Sequence, residues 1–206
     1  MADDVLIFTA ATCGWAVRNY AVLYEKNVPF KAVDVKTSAA ARAVFTSQFP
    51  YALTPGLQHG EVRVWESLLI NEYLEEAFPH PPLLPDAVRP RARARQWLHH
   101  CDGVLFPALS GALRDSATAP KLQSALDQLS TPAFLAEAPA PFWSGAANLG
   151  LVDIAYHVFF KSLRTPGLEM IALPDWMRAW ANAIAKAPSI ERAEAFMASL
   201  RAPDAA

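Results

Sequence analysis

The 206 residues carry a formal charge of −2, and 53% of them are hydrophobic. A chain this apolar and this long can bury a sizeable core in one or two domains, which argues against intrinsic disorder. Its near-neutral balance gives no electrostatic case for nucleic acid or an anionic membrane as a partner, and the two cysteines, Cys13 and Cys101, are too few for a disulfide framework.

The opening Met1-Ala2-Asp3-Asp4 lacks the positive segment and apolar run of a signal peptide, and no apolar stretch approaches a membrane span. A reducing cytoplasm is the expected location. Val5-Leu6-Ile7-Phe8 is a continuous apolar run that fits a central parallel strand. Thr12 is the expected cap of a helix reaching about Lys26, with Tyr20, Leu23 and Tyr24 on its inner side. Phe30 to Val35 alternates as a second strand, and Ala39 to Gln48 favours helix through its alanine content.

From Leu53 to Pro79 the pattern gives a strand at Leu57, a turn at Gln58-His59-Gly60-Glu61, a strand through Val62, Val64 and Trp65, and a helix capped by Ser67. Leu69, Ile70, Tyr73 and Leu74 recur at helical spacing, and Pro79 stops the run. Strand, helix, strand, helix, two strands, helix is a thioredoxin-like order with a right-handed crossover. Pro79, Pro81, Pro82 and Pro85 then make a stiff linker.

Beyond the linker the pattern is helical throughout. Arg89, Arg91, Arg93 and Arg95 read as a solvated helix face. Trp97, Leu98, Val104 and Leu105 belong to a long helix kinked at Pro107, and Leu122, Leu126 and Leu129 to a second stripe. Ile154, Val158 and Phe159 mark a buried central helix; Trp176, Trp180 and Ile184 form another, followed by Ile190 to Leu200. The fold class expected is α/β plus all-α: residues 1–79 a thioredoxin-like domain, 80–88 a linker, and 89–206 an all-helical domain.

Three features carry chemistry. Pro55 at the start of a strand is tolerated only where no partner needs its missing N–H, and a cis bond there turns the preceding backbone outward to face a ligand. Glu66-Ser67 puts a carboxylate, a hydroxyl and free N–H groups at one helix N-terminus. That set can hold an amino-acid head group, Glu66 taking the ammonium and Ser67 the carboxylate, or it can serve as cap and dipole partner alone. Cys13, at the expected start of the first helix, meets the positive end of a dipole that favours thiolate, the nucleophilic form; a lone cysteine can also be a small buried hydrophobe. His99-His100-Cys101-Asp102 invites a metal reading, but adjacent helical residues point about 100° apart and cannot converge on one ion. His100, Cys101, Val104 and Leu105 are expected either near an acceptor pocket between the domains or in ordinary helix packing, and Trp97, Phe106, Phe142 and Trp143 in the core.

The stretch from Leu53 to Pro79 resembles the glutathione-binding half of the cytosolic glutathione S-transferase family, through Pro55-Gly56-Leu57, Glu66-Ser67, Ile70, Tyr73-Leu74 and Phe78-Pro79. Cys13-Gly14-Trp15-Ala16-Val17-Arg18 resembles the Cys-Pro-aromatic-x-x-Arg segment of omega-like, cysteine-type members, with Gly14 in place of the proline. Gly150-Leu151-Val152-Asp153 stands where the family often has a Ser/Thr-x-x-Asp capping box.

The resemblance implies Cys13 as catalytic thiol, and Thr54, Pro55, Glu66 and Ser67 as the binding set for glutathione, a co-substrate, with no metal. Thr54 matches the position whose backbone pairs with the cysteinyl part of glutathione. A basic residue often precedes it to reach the glycine carboxylate; Leu53 cannot, and Lys36 or Gln48 are candidates to compensate. The reaction implied is thiol–disulfide exchange between glutathione and a small hydrophobic electrophile, quinone or disulfide, by a two-fold dimer. No Cys-x-x-Cys is present in the first domain for a two-cysteine cycle. Two rivals stand beside it: a conjugating transferase using the hydroxyl of Thr12 or Thr9, and a non-catalytic binding module, which Leu53 and Gly14 favour.

Overall fold

The structure is a computed structural model that describes residues 4–136 and 138–201. Its first part runs β1 (Val5–Thr9), α1 (Ala16–Glu25), β2 (Phe30–Asp34), α2 (Ala39–Gln48), β3 (Gly56–His59), β4 (Val62–Trp65) and α3 (Ser67–Ala77). The sheet order is β2-β1-β3-β4, with β2 parallel to β1, β3 antiparallel to β1, and β4 antiparallel to β3. This is the thioredoxin-like arrangement read from the sequence. Ile7 is fully buried in the central strand, in register with Ala32 on one side and Leu57 on the other.

Phe8, Val35, Phe45 and Phe49 form one core cluster. A Cβ at position 56 would stand 2.8 Å from the rings of both Phe45 and Phe49. Only glycine lets β3 lie this close to α2, which gives the glycine of the Pro55-Gly56 step a packing reason.

Two helix starts differ from expectation. Thr12 does not cap α1, which begins at Ala16 after Trp15. The connecting loop folds on itself first: the Cys13 N–H donates to the Ala10 carbonyl (2.7 Å), and the Ala11 N–H donates to Asp34 Oδ2 (3.1 Å). A tertiary anchor on β2 thus replaces the local cap. Ser67 is the first helical residue of α3 rather than its cap; Glu66 holds the cap position at φ 69°, ψ 119°.

The second part contains α4 (Val88–His100), α5 (Phe106–Arg114), α6 (Ala119–Asp127), α7 (Pro132–Leu135), α8 (Leu151–Ser162) and α9 (Asp175–Ala185), and α10 (Pro188–Ser199) closes the described chain. Between α4 and α5 lies a π-type turn, Cys101–Leu105, closed by Phe106 N–H donating to the Cys101 carbonyl. Pro107, expected to kink a helix here, has no N–H to continue the ordinary ladder, and the wider turn precedes it. All residues from Leu151 to Phe160 on α8 are buried. Trp97 packs against Phe134, Trp143, Tyr156 and Trp180 with ring centroids 5.1–6.3 Å apart.

By its contacts the chain forms two compact units: Pro82–Ala187, and the segment up to Pro81 together with the segment from Pro188 onward. The final helix, read from the sequence as part of the helical domain, therefore groups with the sheet. Phe196 sets its ring edge-on to Tyr20 (4.9 Å) and Phe30 (5.4 Å), and Ser189 Oγ donates to Glu25 Oε1 (2.5 Å).

At the N-terminus of α8, Asp153 is buried and its Oδ2 accepts the Gly150 N–H (2.8 Å). Its Oδ1 accepts the Trp143 N–H (2.9 Å) and Trp180 Nε1–H (2.6 Å). Burial pushes the Asp153 carboxyl up to about 6, against the pull of these donors. A Cβ at Gly150 would stand 3.0 Å from the Leu83 carbonyl oxygen, which itself accepts the Leu151 N–H (2.9 Å). The missing cap hydroxyl at position 150 therefore has a steric cause.

Candidate functional site

The ladder register explains why residues far apart in sequence meet. Gly56 pairs with Trp65 on one side and Phe8 on the other. Pro55 and Glu66 are each one residue beyond that pairing, so the turns Thr54-Pro55 and Glu66-Ser67 emerge at one end of the sheet. The loop that follows β1, carrying Cys13, leaves from the same end.

Cys13 is 9% exposed and its sulfur donates to the Thr54 carbonyl at 3.2 Å. The Thr54–Pro55 peptide bond is cis. Gly14 has open space where a Cβ would stand, so nothing in the packing demands the glycine that replaces the usual proline.

Glu66 is exposed and has a positive φ, uncommon for a residue with a side chain. Ser67 is buried beneath it. Its hydroxyl accepts from Arg18 Nη1 (3.2 Å), and its carbonyl accepts from Asn19 Nδ2 (2.9 Å), which also donates to Asn71 Oδ1 (2.6 Å). Arg18 has no exposed surface, and its guanidinium carbon lies 4.7 Å from the Trp15 ring centroid. The sequence reading matched Arg18 to a motif position but assigned it no task, and it did not pick out Asn19. Both lie on the inner face of an amphipathic helix, where a polar residue in a core-facing position was the available signal.

The remaining sequence candidates separate clearly. Thr9 is fully buried, and its hydroxyl donates to the Ala10 carbonyl (3.3 Å). Thr12 is exposed, and Lys36 Nζ donates to its Oγ1 at 3.2 Å. Lys36 thus reaches the Cys13 loop, while Gln48 is engaged by Arg63 Nε (2.9 Å). Leu53 is 65% exposed.

In the helical unit, His100 and Cys101 are turned into the unit's own core. His100 Nδ1 lies 3.3 Å from the Tyr156 hydroxyl, and Cys101 Sγ donates to the Ala155 carbonyl at 3.7 Å. Burial, with His99 alongside, holds the His100 imidazole below its ordinary pKa. Among the described residues, no three His, Cys, Asp or Glu side chains are grouped to hold a metal ion.

Residues 4–76 match the family model for the N-terminal domain of glutathione S-transferase. Glutathione S-transferase U12 of Arabidopsis thaliana is 30% identical over 148 residues, covering 68% of this chain and 58% of the relative's length. A probable glutathione transferase of Aplysia californica is 35% identical over 89 residues, covering 43% of this chain and 96% of the relative. Among solved structures, glutathione transferase Omega 3C of Trametes versicolor superposes with a TM-score of 0.77 over 94% of this chain and 90% of that one, at 22% identity, a likeness of fold.

Proposed function

We propose that this chain, which belongs to the glutathione S-transferase family, is a glutathione-dependent thiol transferase whose nucleophile is Cys13. One observation carries the reading: the Cys13 sulfur lies 3.2 Å from the carbonyl of Thr54, the residue before Pro55. An extended peptide ligand pairing with the Thr54 backbone would bring its own cysteinyl sulfur alongside Cys13. Its N–H would also compete for the Thr54 carbonyl that the Cys13 sulfur now contacts, leaving that sulfur free to face the ligand.

The exchange balances without an external oxidant. The Cys13 thiolate attacks the glutathionyl sulfur of a mixed disulfide, the S–S bond breaks, and the other sulfur leaves as a thiolate. A second glutathione thiolate attacks the resulting adduct, releasing oxidised glutathione and restoring Cys13. In this reading Glu66 takes the ligand ammonium, and Ser67 with the first N–H groups of α3 takes its neighbouring carboxylate. Lys36, on the Cys13 side of the loop, takes the glycine carboxylate that Leu53 cannot reach. A small hydrophobic electrophile is the alternative acceptor.

Leu53 has a different use. With Tyr51, Val62, Trp65 and Leu69 it leaves large apolar surface on and around the edge strand β4. This face suits the two-fold contact of a homodimer, and Leu69→Glu is expected to yield a monomer by light scattering.

A second reading, glutathione conjugation assisted by Thr12, is favoured by its exposure and by Lys36 at its hydroxyl. The two are separated by assaying Cys13→Ser and Thr12→Val for reduction of a glutathione mixed disulfide and for conjugation of a chlorodinitrobenzene. Cys13→Ser is expected to abolish reduction while Thr12→Val retains it. Full reduction by Cys13→Ser would overturn the cysteine mechanism.

A further inference from the structure

Helix α10 runs antiparallel along α1, and its contacts follow that helix back in order. Ser189 Oγ donates to Glu25 Oε1 (2.5 Å), the Arg192 guanidinium carbon lies 4.2 Å from the Tyr24 ring centroid, and Phe196 meets Tyr20 edge-on. Just beyond the end of α10, Arg201 reaches the loop that precedes α1. Its Nε donates to the Ala11 carbonyl (2.7 Å), across 190 positions of sequence. The N–H of the same alanine donates to Asp34 Oδ2 (3.1 Å).

Between β1 and α1 no regular ladder serves the backbone, so its polar groups need partners from elsewhere. Ala11 finds both in charged side chains, an anion for its N–H and a cation for its carbonyl, and such charge-assisted bonds are the stronger kind. Lys36 Nζ donates to the hydroxyl of Thr12 (3.2 Å), and Cys13 comes next. After it stands Gly14 in place of the usual proline, which leaves φ free where a ring would have fixed it. The restraint missing after the cysteine is thus supplied before it.

We infer that Arg201 is a positioning residue for Cys13: with Asp34 it clamps the backbone of Ala11 and so fixes the loop from which the sulfur meets a disulfide. The inference rests on the reading above that Cys13 is the nucleophile. It adds a residue that touches no ligand and assigns it control of alignment rather than of ionisation. Attack on a disulfide tolerates little displacement of the sulfur, whereas a small alkylating reagent can approach from any open side.

The test compares two rate constants of Cys13 in the intact chain: adduct formation with oxidised glutathione and alkylation by iodoacetamide. Each is read by protein mass and peptide mapping across the titration of the thiol. Both reactions need the thiolate, so their ratio cancels a change in thiolate fraction and isolates alignment. Arg201 is exposed, and Arg201→Met leaves Asp34 and Lys36 in place. In this variant the ratio of adduct formation to alkylation is expected to fall about 5-fold or more, the scale of one net hydrogen bond. The loss should persist in high salt, which screens attraction between a cation and an anionic disulfide. Asp34→Ala removes a charge of the opposite sign, yet it opens the other side of the clamp and should lower the ratio too.

An unchanged ratio in Arg201→Met, or a loss that vanishes in high salt, overturns the role of Arg201 and leaves Cys13 standing as nucleophile. A ratio that holds or rises in Asp34→Ala, shown to be folded by circular dichroism, also overturns it, because charge and not alignment would then set the rate. If Asp34→Ala does not fold, Arg201→Met at low and high salt decides. A wild-type protein in which Cys13 takes no glutathione removes the nucleophile reading and this inference together.

Discussion

Replacing Asp153 tests how burial and hydrogen bonding compete at one carboxylate. In Asp153→Asn, an amide oxygen placed as Oδ1 keeps the bonds from Trp143 N–H and Trp180 Nε1–H, but the amide nitrogen then faces the Gly150 N–H, donor against donor. One lost charge-assisted bond and one opposed donor cost about 1–3 kcal/mol at neutral pH. Asp153→Ala strips all three donors of their acceptor and costs about 3–5 kcal/mol.

The pH dependence carries a definite sign. With the folded-state pKa raised to about 6, the folded protein holds this proton more tightly than the unfolded chain does. Stability from this group is greatest below about pH 4 and is lost as pH rises to about 6, in total ~3 kcal/mol. The asparagine variant has no such titration, so its deficit relative to wild type should be largest near pH 4 and shrink toward pH 7. Urea unfolding of both proteins at each pH, followed by far-ultraviolet circular dichroism, reads this difference directly, since the other groups titrate alike in both. A deficit that grows with rising pH would refute the reasoning and mean that the three N–H donors outweigh desolvation.

Other predictions follow from single residues. Glu66→Gly relieves a positive φ, so the fold should gain up to ~1 kcal/mol in unfolding experiments, while calorimetry should show weaker glutathione binding because the carboxylate is gone. Gly150→Ser supplies the cap hydroxyl common in the family, yet its Cβ would press on the Leu83 carbonyl. It should therefore lower stability by about 1 kcal/mol rather than raise it, as thermal melting can show.

Much of the fold is legible where local signals agree. The range Ala39–Gln48 is helical as its alanine content suggests, and the Val5–Phe8 run is the core of the central strand. Gly60, at φ 57°, sits in the turn joining β3 and β4. Local reading falls short where a long-range contact overrides it. The Thr12 cap gives way to a loop anchored on Asp34, 23 residues distant. The last helix looks like one more amphipathic segment until Phe196 is seen against Tyr20 and Phe30.

At the site, the motif positions of Cys13, Thr54, Pro55, Glu66 and Ser67 could be named from sequence, and the register of β3 with β1 and β4 explains their common end of the sheet. The hydrogen bond from Arg18 to Ser67 spans 49 positions and leaves no local trace. The 65% exposure of Leu53 is likewise invisible in the sequence, where it reads only as an apolar residue.

The central claim is that Cys13 is a nucleophile toward glutathione disulfides. Intact-protein mass after incubation with oxidised glutathione, followed by peptide mapping, tests it most directly. The account predicts one glutathione adduct per chain, on Cys13 and not on buried Cys101, released by reduced glutathione. A protein that binds glutathione while Cys13 stays unmodified would contradict it.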